Sequence, residues 1–481
     1  MRWLIRFTVA ALAITGLTGC TNTAEDAAPA TFESQVGVQL FMWNWDSIAR
    51  ECQNLADAGI DYVLTSPVQE HIQGEAWWTV YQPVSYKIES RLGTRAEFQA
   101  MTSTCNDVGV AVIVDAVINH MSASDSGTGV AGTEYSKYEY PGIYTREDFH
   151  NCNLTPNDQI ANYLDRAQVQ TCELLGLSDL DHKSEKVQDT IVAYLEDLIS
   201  LGAAGFRIDA AKHIYAPDLK VIVDRLPQDT RILHEVIRGG AEPIQPEEYL
   251  DSGDVWEFNY ARELKGMFKA RVVSGAASNT RFDSYAPSNQ AISFVVNHDT
   301  ERNGETLTYK TPELFELATA MMLAENYGQP MLYSSYAFSE RDTGPESQNG
   351  KVLDANCDGQ PELGNKAEDG TWLCQHRLTS TTNMIEFRDV VGSAAVVEKF
   401  RAAGLYGFAR DKMGYFLVNV SEYKSLPFEV QTTLSAGNYC NVYLEIADCS
   451  DVVSVDESGL AKGEMPNESA IAIHVDALAN N

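Results

Sequence analysis

Three acidic residues stand at the ends of short apolar runs. Asp209 closes the run that opens GFRIDAAKH at Gly205, Glu235 lies in RILHEV from Arg231, and Asp299 ends SFVVNHD from Ser293. A fourth run, VIVDAVINH from Val112, ends in Asn119 and His120. Carboxyl groups held roughly 5–5.5 Å apart on rigid supports can share the opening of an acetal, one attacking as a carboxylate while the other donates a proton. Asp209 and Glu235 suit those two tasks, and Asp299 would steady the positive charge that develops. Arg207 lies two residues before Asp209, so on a strand both side chains share a face. A cation fixed there should keep Asp209 ionised, whereas Glu235 needs surroundings that raise its pKa. Singly, an Asp or Glu that ends a strand is more often a helix cap or a surface ion-pair partner; the signal is their joint occurrence at like run ends.

The supports for such a site are repetitive. Strand-like runs fall at Val36–Phe41, Tyr62–Ser66, Val110–Val117, Gly205–Asp209, Arg231–Val236, Trp256–Asn259, Ser293–Asn297 and Pro330–Ser334. Amphipathic stretches separate several of them, such as Ser184–Leu201, where Val187, Ile191, Tyr194, Leu195 and Leu198 recur at helical spacing. Eight such units predict an α/β protein built on a (β/α)₈ barrel, whose strands are near-continuous apolar runs and whose C-terminal strand ends carry the chemistry. The barrel is expected over residues 35–120 and 179–391. Between them, residues 121–178 are rich in Gly, Ser, Asn and Tyr and show no clear helix, which predicts an inserted subdomain over the site. From residue 392 to 481 short strands punctuated by turns predict an antiparallel β-sandwich domain, with candidates at Tyr406–Ala409, Tyr415–Val420, Phe428–Thr432, Asn441–Leu444 and Ala470–Val475.

Composition narrows the partners. The 481 residues carry a formal net charge of -33, which excludes the basic surface that nucleic acid needs. Arg2 and Arg6, an apolar stretch Phe7–Leu17, and Leu17-Thr18-Gly19-Cys20 read as a signal peptide over residues 1–19. The ending resembles a bacterial lipobox, with Cys20 as the lipidated residue and residues 20–34 as a polar tether. An exported cell-envelope lipoprotein or a secreted protein is expected, touching a membrane only through that anchor. Setting Cys20 aside leaves eight cysteines in sequence-local pairs, Cys52 with Cys105, Cys152 with Cys172, Cys357 with Cys374, and Cys440 with Cys449. Eight cysteines permit roughly a hundred connectivities, so this pairing goes beyond counting; an oxidising compartment favours disulfides.

DAVINH at Asp115–His120, GFRIDAAKH at Gly205–His213, HEVI at His234–Ile237 and FVVNHD at Phe294–Asp299 resemble the four signature regions of the α-amylase family of glycoside hydrolases. The wording is similar to the animal-type branch, as is WWTVYQPVSYKI from Trp77, and the similarity runs from about Val36 to Ile473. The resemblance implies Asp209 as nucleophile, Glu235 as general acid/base and Asp299 as transition-state stabiliser. His120 and His298 would bind sugar hydroxyls, and Lys212 and His213 would lie toward the leaving group. Trp77, Trp78, Tyr81 and Gln82 would line the cleft, the aromatics as platforms for glucose rings, with Tyr163 of the insertion in a similar role.

It also implies a structural Ca²⁺ held by Asn119, Asp179 and the backbone carbonyls of Gln170 and His213, oxygen donors of the kind calcium takes. Two departures stand out. Animal-type relatives bind an activating chloride through two basic side chains and an Asn; Arg207 and Asn297 match, but Ala337 occupies the position of the second cation, so chloride should not be required. The Gly-rich loop after the third carboxylate is reduced to Thr300–Glu305. The implied activity is endo-hydrolysis of α-1,4-glucosidic bonds in starch, glycogen and malto-oligosaccharides by a monomer. The alternatives are a catalytically silent surface glucan-binding protein of this fold, or a transglycosylating or exo-acting relative.

Overall fold

The computed structural model describes residues 35–359, 363–364, 367–444 and 449–479. The expected signal peptide, Cys20 and the whole tether lie outside the described residues. Eight short runs form strands: β1 Gly37–Leu40, β2 Tyr62–Thr65, β3 Ala111–Ala116, β4 Gly205–Ile208, β5 Arg231–His234, β6 Asp254–Trp256, β7 Ala291–Phe294 and β8 Gln329–Ser334. They pair in sequence order, all parallel, and β8 closes on β1. Both faces of the strands are covered, as in β4 and β5, where every residue is buried. This is why the runs read as continuously apolar rather than alternating. Tyr62, Leu64, Ile113, Leu233, Trp256, Ile292, Phe294 and Met331 fill one shared core cluster. Gly205 opens β4 because a Cβ there would stand 2.2 Å from the Arg231 carbonyl oxygen.

Local chemistry sets the element ends. The helix Glu185–Ser200 buries Val187, Ile191, Tyr194, Leu195 and Leu198, the stripe foreseen from spacing. The sixth strand was expected at Trp256–Asn259 but ends at Trp256. Glu257 accepts the Asn259 N–H and so caps a helix, Phe258–Lys269, that starts at once. The insertion is not helix-free: Asp165 caps a six-residue helix, Arg166–Thr171. The chain entering and leaving the insertion is clasped together by Met121 N–H to Ser178 O at 2.9 Å and Leu180 N–H to Asn119 O at 3.1 Å.

The C-terminal part forms two four-stranded antiparallel sheets from β9 Val396–Ala402, β10 Leu405–Arg410, β11 Gly414–Asn419, β12 Leu426–Gln431, β13 Gly437–Cys440, β14 Val452–Val455, β15 Leu460–Met465 and β16 Ser469–His474. The strand expected at Asn441–Leu444 is a turn that follows β13. Strands β9, β13, β14 and β15 escaped the sequence reading; β9 buries none of its residues and β15 only Ala461 and Met465, so neither shows a clear buried run. All four cysteine pairs are disulfides.

Candidate active site

The ladder continues one residue past the strand ends and delivers the acids. Asp209 N–H donates to Ala116 O, and Glu235 N–H donates to Ile208 O, each at 3.1 Å. Asp209 and Glu235 therefore leave neighbouring strands at the same level and point into one cleft of about 480 Å³. Asp299, which follows β7, lines the same cleft, with its backbone N–H held by Asn297 Oδ1 at 3.1 Å. Trp77, Trp78, Tyr81, Gln82, His120, Tyr163, Lys212, His213 and His298 also line this cleft. The sequence-predicted residues of the site thus converge, with Arg207 directly beneath them at 2% exposure.

Arg207 organises the acids. Its Nη1 donates to Asp115 Oδ1 at 2.6 Å and to Asp209 Oδ1 at 2.7 Å. Its Nη2 lies 2.6 Å from Glu235 Oε1, a charge contact that lacks the angles of a hydrogen bond. Glu235 Oε2 accepts the Ala210 N–H at 2.8 Å. Burial raises the pKa of Glu235, and Asp209 and Asp299 add to this, while Arg207 opposes it. This is the state a proton donor needs. Asp209 departs from the expectation: Arg207 does pull its pKa down, yet burial outweighs that pull and the net shift is upward. One guanidinium divided among three carboxylates offsets burial only in part at each of them. Burial also raises Asp299, against Arg207, Arg302 and Arg341.

Burial favours the neutral form of the cleft histidines His120 and His298. Burial holds His120 down to about 4, and it holds His298 well below the usual range with help from Arg207. The His298 ring is sandwiched between Phe41, with centroids 4.9 Å apart, and Tyr81 at 5.1 Å. Gln39 Nε2 approaches its Nδ1 at 3.1 Å, which leaves Nε2 as the N–H facing the cleft. The His120 nitrogens are already engaged, Nε2 with Tyr81 O at 3.0 Å and Nδ1 with Asn119 Nδ2 at 3.2 Å. His120 therefore borders the cleft with its polar atoms committed to protein. Gln82 uses its Oε1 to accept the Ala123 N–H at 3.0 Å. The Trp77 ring meets Tyr81 and His298 edge-on.

Beyond the cleft, Asn119 and Asp179 meet beneath the insertion. Asn119 Nδ2 lies 3.5 Å from Asp179 Oδ1, while the buried Asn119 Oδ1 has no hydrogen-bond partner. The buried Asp179 carboxyl is pushed up to about 7 by desolvation, despite His150 Nδ1 at 2.7 Å. His213 Nδ1 lies 3.0 Å from Val169 O, a side-chain contact that ties residue 213 to the insertion's helix. Among the described residues no three His, Cys, Asp or Glu side chains form a metal cluster. A cation here would rest on one carboxylate, one amide oxygen and backbone carbonyls, and the orphaned Asn119 Oδ1 fits that donor set.

Several contributors were not foreseen. Asp115 is fully buried, bound by Arg207 and by Tyr81 OH at 2.8 Å; the signal was a carboxylate inside an otherwise apolar run. Leu174, Leu175 and Leu177 from the insertion, with Ile237 and Glu242 from the loop after β5, complete the walls. No periodicity marks such loop residues.

Comparison with known proteins follows this geometry. A family profile described as "Alpha amylase, catalytic domain" matches residues 29–251. A curated α-amylase of Streptomyces violaceus is 42% identical over 471 residues, covering 97% of this chain and 78% of that one. An α-amylase-related protein of Drosophila ercepeae is 38% identical over 470 residues, covering 92% of this chain and 93% of the relative. The crystal structure of wild-type α-amylase I from Eisenia fetida superposes with a TM-score of 0.86 at 32% identity, covering 92% of this chain and 97% of that one. A mutant of the same Eisenia fetida protein in complex with maltohexaose matches equally well.

Proposed function

The chain belongs to the α-amylase family of glycoside hydrolases, and from that premise we propose that it hydrolyses internal α-1,4-glucosidic bonds of starch, glycogen and malto-oligosaccharides with retention of configuration. The observation that carries this reading is the guanidinium of Arg207, which holds Asp209 and Glu235 on its two terminal nitrogens. Carboxyl groups gathered on one planar fork are close neighbours, which favours the separation of roughly 5–5.5 Å used for retention over the roughly 6.5–9.5 Å used for inversion.

Glucose rings stack on Trp78 and Tyr81, and His298 Nε2–H offers a donor to a sugar hydroxyl. Glu235 gives its proton to the leaving oxygen while Asp209 attacks the anomeric carbon, forming a glycosyl ester. Glu235, now a base, deprotonates a water that displaces Asp209. Two inversions return the original configuration. Asp299, with its side chain 40% exposed to the cleft, faces the charge that develops on the ring.

Ca²⁺ would be held by Asn119, Asp179 and the carbonyls of Gln170 and His213; when bound it supplies charge that neutralises buried Asp179 and joins insertion to barrel. Chloride is not required in this reading. Buried Ala337 supplies no charge where the second cation is expected. The test is the product series from soluble starch. Early oligosaccharides of mixed length support endo action, and maltose alone from the outset would contradict it.

A further inference from the structure

Asp299 shares its turn with a buried cation. Asp299 O accepts the N–H groups of Arg302 at 3.0 Å and Asn303 at 3.1 Å, so Asp299 opens the single helical turn Thr300–Asn303. From that turn the Arg302 side chain reaches back, and its Nη1 donates to His298 O at 3.3 Å. The clamp closes on the two neighbours, His298 and Asp299, that line the cleft.

Arg302 sits in a cage of rings. Its guanidinium carbon lies 4.1 Å from the centroid of Phe338, 5.2 Å from Trp77, 5.3 Å from Phe41 and 5.4 Å from Tyr336. Ring faces attract a cation, and more strongly once water is excluded; this side chain is 1% exposed. Its Nη2 also donates to Tyr336 OH at 3.1 Å. Two walls of the cage belong to the site as well, since Phe41 stacks on His298 and Trp77 meets it edge-on. Among the described residues the one carboxylate paired with Arg302 is Glu301, at 3.1 Å. Glu301 lies outside the cleft lining, where Tyr333 OH at 2.9 Å and Ser335 Oγ at 3.1 Å also bind it.

The charges around Asp299 are unequal in kind. Burial pushes its carboxyl up; Arg207, Arg302 and Arg341 pull it down, and Glu305 adds to the rise. Asp209 and Glu235 are further acids coupled to it, and His298 Nε2 lies 3.6 Å from its Oδ2. Arg207 is divided among Asp115, Asp209 and Glu235. Arg341 is exposed, so solvent and salt screen it. Arg302 is buried and pairs with none of the cleft acids.

We propose that Arg302 is a positioning residue for Asp299: from its aromatic cage it holds the turn that carries this carboxylate and supplies it with a cation outside the set divided at Arg207. The inference rests on the retaining reading above, in which Asp299 must be ionised as positive charge develops on the sugar ring. That charge is present in the transition state and not in the bound ground state, so the loss should fall on kcat rather than KM.

The test measures kcat and KM of the full chain on maltoheptaose across pH, for the unaltered protein, Arg302→Met, Arg302→Lys and Glu301→Gln. In Arg302→Met, kcat should fall about tenfold or more while KM changes less than about twofold. The acidic limb of kcat/KM reports Asp209 and Asp299 as a pair, and in Arg302→Met it should move upward by about half a pH unit or more. Arg302→Lys keeps the charge and should keep the limb in place. Glu301→Gln leaves Arg302 without its counter-charge and should move the limb to lower pH. A purely structural role would lower kcat and leave the limb unmoved in Arg302→Met, and that result, or an equal rise in Arg302→Lys, would overturn the proposal. Should Arg302→Met fail to fold, a limb that stays or rises in Glu301→Gln would overturn it. The anomeric form of the products from the unaltered protein reports separately on the retaining reading: inverted products would remove that reading, whereas retained products with an unmoved limb would remove this inference alone.

Discussion

Asp115 and Asp209 share a single nitrogen, Nη1 of Arg207, at 2.6 and 2.7 Å. The nucleophile therefore competes with a buried neighbour for the same positive charge. Asp115 has its pKa raised by burial, with Arg207 opposing and Asp209 adding to the rise. Asp115→Asn removes a like charge beside Asp209, so the Asp209 pKa should fall. The nucleophile must be ionised, so the acidic limb of the kcat/KM profile should move to lower pH. A limb that stays in place or moves upward in Asp115→Asn would contradict this sharing.

The candidate cation position beneath the insertion makes a separate prediction. A cation that binds only the folded state stabilises it by mass action. Chelation should lower the melting temperature by about 5 °C or more, and Asp179→Asn should make the melting curve insensitive to chelator. An unchanged curve for the unaltered protein in excess chelator would count against calcium.

Chloride should have little effect. Both terminal nitrogens of Arg207 are engaged by carboxylates, and Ala337 contributes no second cation, so an added anion meets one shared charge rather than two. Turnover of dialysed protein should change by less than about twofold on adding chloride. A several-fold rise would show an anion site that the acids leave open.

Away from the site, Glu51 ties the helix Trp45–Asp57 to the segment Gln375–Arg377. Burial pushes its pKa up, but His376 Nε2 at 2.8 Å and Arg377 Nε at 2.7 Å hold it down to about 2. A depressed folded pKa gives stability that is present above the unfolded value of 4.5 and is lost as pH falls toward 2. A shift of this size corresponds to about 3 kcal/mol. Glu51→Gln should cost about that much at neutral pH, and the gap from the unaltered protein should narrow between pH 4.5 and 2. Denaturant unfolding at several pH values checks both the size and the window.

Much of this was legible in the sequence for one physical reason. Barrel strands buried on both faces leave continuous apolar runs, and the polar residues that break those runs at their ends are the ones displayed in the cleft. Asp209, Glu235, His298 and Asp299 are of this kind. Asp115 was not recognised because its position inside β3 hides it from that rule, and its partner Arg207 is remote in sequence. Leu174, Leu175, Ile237 and Glu242 were missed because they sit on loops, where tertiary contacts rather than periodicity fix each side chain. Strand β15, with sequence LAKGEM, was missed because its pairing with β12 is carried by the backbone and only a few of its side chains are buried. Arg207 itself was read correctly in place but not in balance, since the sequence could not reveal that three acids divide its charge.

The central claim is that Asp209 attacks the anomeric carbon while Glu235 serves first as acid and then as base. The most direct measurement is the anomeric form of the first reducing ends released from a malto-oligosaccharide, read by proton NMR before mutarotation scrambles them. Two successive displacements predict the α-anomer. The β-anomer as first product would mean a single displacement by water and would contradict the account.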